Sequence, residues 1–170
     1  MSNPTTQSIQ SMFASRLETL AHLLKRAEEH FGGNASFLER RLAPDMAPFG
    51  TQIAYACNQP RNFALWSQGK PSANLDPNVV TLEQAHAHTR STKELVAVAV
   101  TDDSQLAAKT RIDLGHNLYA EMSGTEFVSE FLIPNFYFHL VTAYGILRMA
   151  GMDVGKRDYM LHMMPYVRQA

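Results

Sequence analysis

The chain has 170 residues, 15 basic against 16 acidic side chains, a net charge of -1 and one cysteine. That length suits a single domain, 1–170, with a core of its own. The balanced charge, with no long block of one sign, argues against nucleic acid or a membrane surface as partner, and a lone Cys57 excludes an intrachain disulfide or a multi-thiolate metal centre.

The amino-terminal MSNPTTQSIQSMF has no basic region followed by an apolar stretch and a small-residue cleavage site, so a cytoplasmic location is expected. From Ser8 to Phe31, apolar residues recur at Ile9, Met12, Phe13, Leu17, Leu20, Leu24 and Ala27, the spacing of an amphipathic helix, which Gly32-Gly33 ends. A short helical turn is expected over 34–42, with Ser36 and Glu39 as a capping box. Asp45 is then placed to cap a helix over 46–66, which Pro60 would kink or split.

The turn-rich GKPSANLDPN reads as a connection. Thr81 and Gln84 form a capping box for a third helix reaching about Val100. Fragments around Gly115-His116 suggest a small hairpin or an irregular excursion. A fourth long helix is expected from Thr125 to Gly151, where glycine suits a left-handed cap. Its apolar run is broken by Glu130, Asn135, His139 and Arg148, so it reads as a buried helix and not a bilayer span. The sum is an all-α four-helix bundle with a small excursion before the last long helix.

Seven histidines invite a metal, and their spacing withdraws most of the invitation. His86 and His88 point about 200° apart on a helix, and His22 and His30 are separated by about 12 Å of helical rise. Asn135 and His139, four apart, do share a face and can address one ligand. Two readings stand for them. In one they satisfy a buried network: Asn135 knits the kink at Pro134 to an adjacent helix, and His139 bonds across the bundle to Gln52, Thr51 or Tyr55. In the other they belong to a pocket with Gln52 and Tyr144, with Tyr137 or Trp66 nearby. Cys57 reads as core filler, and Lys156, Arg157 and Asp158 as a solvated charge cluster.

Three stretches, RLAPDMAPF (Arg41 to Phe49), PNFYFHLVTAYGILR (Pro134 to Arg148) and GKRDYM (Gly155 to Met160), together resemble the family catalogued as domain of unknown function 1993, within the DinB/YfiT-like four-helix-bundle superfamily. The resemblance implies a bundle in which typical members hold a metal with one histidine from the second long helix and an H-x-x-x-H pair from the last, several of them for thiol transfer or hydrolysis. Here the pair falls on Asn135-x-x-x-His139, and the second helix has no histidine. No metal cofactor is expected on that ligand count; a divalent metal, if held, would use His139. Three functions follow as expectations: a bundle binding a small molecule between its helices, a metal-dependent hydrolase or thiol/group transferase, and a homodimeric interaction module, the dimer being implied by the resemblance.

Overall fold

The computed structural model describes residues 5–169. The expected domain, 1–170, and the reading of the amino terminus reach past it by residues 1–4 and 170. Four helical stretches make the bundle: α1 (Thr5–His30), α2 (Phe49–Ser67), α3 (Leu82–Ala97) and a last run from 124 to 149. That run has three parts: a turn, α4 (Gly124–Glu126), a π-helical segment (Phe127–Leu132), and α5 (Ile133–Met149). Two strands, β1 (Lys109–Gly115) and β2 (Leu118–Ser123), precede it as an antiparallel hairpin. The protein is therefore mostly helical without being purely all-α, and the expected excursion is the hairpin.

α2 is the central element. It packs most extensively on α5, then on α3, while α1 lies against α3. Phe13 of α1 joins three helices, with its ring 5.5 Å from Phe63 of α2 and 5.3 Å from Phe136 of α5. All three phenylalanines are fully buried, each worth about 1.5–3 kcal/mol in removed apolar surface. Among the described residues no helix is long and apolar enough to cross a membrane.

Several local expectations hold and several are corrected. The Thr81–Gln84 capping box forms in both directions. The turn Ala35–Glu39 is capped instead by Asn34, whose side chain accepts from the Ser36 amide. Asp45 does not cap α2, which begins after Pro48 with no side-chain cap. Pro60 leaves α2 a single helix, because losing one N–H removes only one rung of the ladder while the residue stays buried. Asp158 is no freely solvated charge: it accepts from Arg26 at 3.0 Å and meets His22 at 2.9 Å, fastening α6 (Lys156–Tyr159) to α1.

Two glycines mark contacts that admit no side chain. A Cβ on Gly50 would lie 2.1 Å from the Val79 carbonyl oxygen, where α2 meets the approach to α3. One on Gly124 would lie 2.1 Å from the Gln105 carbonyl oxygen and 2.6 Å from the Trp66 ring. The Gly124 amide donates to Ala108 at 2.8 Å and that of Thr125 to Leu106 at 2.9 Å, so the base of the hairpin is stitched to the start of the last helical run.

Candidate functional site

Pro134 stands inside the last helical run, between the π-helical segment and the body of α5. A proline there cannot complete an i→i−4 bond, and the chain answers with a local change of ladder: Ile133 donates to Val128, five residues back. The Asn135 side chain donates to the Phe131 carbonyl at 2.7 Å. Asn135 thus serves the backbone of its own helix and does not reach an adjacent one.

His139 lies one turn further on and does cross the bundle. Its Nδ1 is 2.8 Å from Gln52 Oε1. The Gln52 amide nitrogen donates to the Ala47 carbonyl at 3.0 Å, which identifies the oxygen as the atom facing the ring. Nδ1 must therefore carry the proton and donate, and Nε2 holds a lone pair. Burial pushes the imidazole down to about 4, so it is neutral at ordinary pH. The Tyr55 ring stands 5.1 Å away, centroid to centroid. Of the three partners expected for His139, Gln52 makes the bond, Tyr55 packs alongside, and Thr51 instead donates to the Pro77 carbonyl.

His139 opens on a cavity of about 660 Å³. One wall is a stripe of α2: Tyr55, Asn58, Gln59, Asn62 and Trp66, spaced at three, four and seven to lie on one face. Phe127 and Phe131 of the π segment form the apolar wall opposite, and Thr110 to Asp113 of β1 stand over the opening. The loop 70–74 completes the rim. Asn62 accepts from the Ala73 amide and donates to Asn74, while Asn58 accepts from the Leu75 amide, so two buried amides hold this loop by its backbone. The Trp66 indole donates to Thr110 Oγ at 3.1 Å and ties the hairpin to α2.

Not every expected site residue is here. Gln52 supports His139 from behind and does not line the cavity, nor does Asn135. Tyr144 packs against Tyr159 at 5.9 Å, away from the opening. Cys57 points into the bundle toward Thr89 and Thr92, and burial pushes its thiol up to about 12, which makes it neither nucleophile nor ligand. Of the α2 stripe, sequence reading named Tyr55 and Trp66 and missed the amides Asn58, Gln59 and Asn62. Their signal was present, in amides recurring at helical spacing along α2.

A second depression, about 730 Å³, runs between α1 and α3 past Glu83, His86, Arg90 and Lys93. There polar side chains pair across the helices, His86 with Glu28 at 2.8 Å and Lys93 with Glu18 at 2.6 Å, as a solvated seam.

The residues do not fit a three-histidine metal centre. Among the described residues no three His, Cys, Asp or Glu side chains converge. His139 offers one nitrogen, its neighbour on α2 is a glutamine already bonded to it, and the Asn135 amide is spent on Phe131.

Fold and cavity define the class first: a helical bundle with a hairpin insert and a polar pocket against its central helix. The family described as Domain of unknown function (DUF1993) matches residues 6–160, and the chain belongs to that family. The crystal structure of a DinB family member protein from Shewanella denitrificans is similar, with a TM-score of 0.73 and 29% sequence identity over 89% of this chain and 88% of that one. No curated protein matches.

Proposed function

We propose that this one-domain DinB-like protein of the cytoplasm binds a small organic molecule in the cavity beside His139. The observation that carries the reading is an imidazole fixed by Gln52 in one tautomer, with a free nitrogen, in a residue lining a cavity walled by aromatic rings and amides. Such a nitrogen is neutral and accepts a hydrogen bond, a fitting inner contact for a ligand carrying O–H or N–H. Native mass spectrometry of the protein as purified tests this. A bound small molecule that His139→Phe releases supports it; a His139→Phe protein that keeps the same molecule at the same occupancy removes His139 from the site.

The metal-dependent hydrolase or thiol/group transferase reading has His139 alone to rest on. Elemental analysis separates it: stoichiometric divalent metal, lost in His139→Phe, would restore it.

A homodimeric interaction module is favoured by a different surface. Phe138, Val141 and Met149 are about half exposed along α5, an apolar strip on one helix. Light scattering at micromolar concentration decides it, since a monomer there defeats the dimer.

A further inference from the structure

The cavity's polar groups are unevenly used, and the imbalance specifies what would complete them. On the α2 wall Asn58 spends its oxygen on Leu75, and its Nδ2 has no protein acceptor among the described residues. Nor has the Nδ2 of Asn74, whose oxygen takes the Asn62 amide. Thr110 accepts from Trp66 with its own proton still to give. Toward the rim, then, donors outnumber acceptors.

The charges at the opening point the same way. Lys70 and Arg111 both line it, and neither makes an ion pair among the described residues: Lys70 donates to the neutral Gln68, and Arg111 lies 3.8 Å above the Tyr119 ring. Glu121, opposite Arg111 in the ladder, is engaged by Lys109 at 3.0 Å. Asp113 is the one acid on the rim, and it accepts from the Gly115 amide of its own turn. The inner end is opposite in character. His139 Nε2 is an acceptor, and Gln59 Oε1 on the α2 wall is buried without a donor among the described residues.

We propose that the cavity selects an aromatic anion: a carboxylate received at the rim by Lys70 and Arg111, a ring among Phe127, Phe131 and Tyr55, and an inner hydroxyl or N–H donating to His139 Nε2. This rests on the reading of the cavity as a ligand site and adds the sign of the charge and the polarity of the two ends. A carboxylate accepts several hydrogen bonds and donates none, which matches a rim of donors; charge-assisted bonds to lysine and arginine are the stronger kind. An aromatic body suits a cavity with rings on both walls, since offset and edge contacts add to the burial of apolar surface.

The test uses three probes of nearly one shape: 4-hydroxybenzoate, neutral 4-hydroxybenzamide and cationic 4-hydroxybenzylamine. Calorimetry gives affinities, and the indole N–H resonance of Trp66, the only tryptophan, reports whether a probe enters this cavity. The benzoate is expected to bind about tenfold or more tighter than the amide. That preference should shrink at high salt and vanish in Lys70→Ala/Arg111→Ala, whose two sites are exposed and carry no part of the core. Equal affinity for benzoate and amide, or a preference for the amine, overturns the anionic assignment and leaves the cavity a ligand site. A Trp66 resonance that none of the three displaces overturns both.

Discussion

α2 turns two faces to the molecule that are almost equally buried and chemically opposite. Phe63 meets Phe13 of α1 and Cys57 meets Thr89 and Thr92 of α3, on a face closed by apolar packing. Asn58, Gln59 and Asn62 lie on the other, each no more than 9% exposed. Burial alone does not separate a core face from a site face. The distinction is what the buried groups meet: on one side packed side chains, on the other loop backbone and open volume.

The sharpest way to break the contrast is to cut each face separately. Phe63→Ala is expected to cost about 3–5 kcal/mol in urea denaturation, since it leaves a cavity between α1 and α2. A loss under 1 kcal/mol would show that this face is not the stabilising one. Asn62→Ala removes the Ala73 and Asn74 contacts and is expected to cost about 1–3 kcal/mol, with faster hydrogen exchange confined to 70–75. Uniformly faster exchange would mean that Asn62 supports the whole bundle and not the rim.

A smaller effect is read through pH. Burial holds the folded His139 near 4 against an ordinary 6.5, so the folded chain refuses a proton that the unfolded chain accepts. Its contribution is complete above about 6.5 and is lost as the pH falls toward 4, by about 1–2 kcal/mol once solvent access to the ring is allowed for. Denaturation at about pH 7 and about pH 4.5 should show this loss in the native protein and not in His139→Gln. Equal losses in both would place the sensitivity elsewhere, in His162, which burial also holds below its ordinary value, or in carboxylates. Smallest of all is Gln59→Leu. It deletes an unpartnered buried oxygen together with the 3.2 Å bond from Gln59 Nε2 to the Tyr55 carbonyl, so stability should change by less than about 1 kcal/mol, while any ligand that reaches the inner wall is weakened.

Much of the scaffold was legible in the sequence because it is written locally. The i, i+3, i+4 spacing found α1, Thr81 and Gln84 announced the start of α3, and the Gly115-His116 turn, with its positive φ angles, sits where the hairpin was expected. The bond from His139 to Gln52 was also among the expected partners. The rest depends on groups far apart in the chain. Pro134 reads as a kink, and nothing local says that the preceding turn will widen to i→i+5. The amides of α2 resemble an exposed face until the 70–75 loop is folded over them. Tyr144 shares a helix with His139, and sharing a helix was not enough to bring it to the same side.

The hairpin can finally be considered as a beam fixed at one end. Its root is clamped where Gly124 leaves no room for a Cβ, by the bonds of Gly124 and Thr125 to 106–108 and by the Trp66 indole on Thr110. Its tip, Gly115 to Leu118, is exposed. β1 has seven residues, a length of about 20 Å. A beam of this kind deflects little at Thr110 and progressively more toward Gly115. Arg111 and Asp113 stand at successive distances from the clamp, so of the two rim residues Asp113 has the longer lever arm.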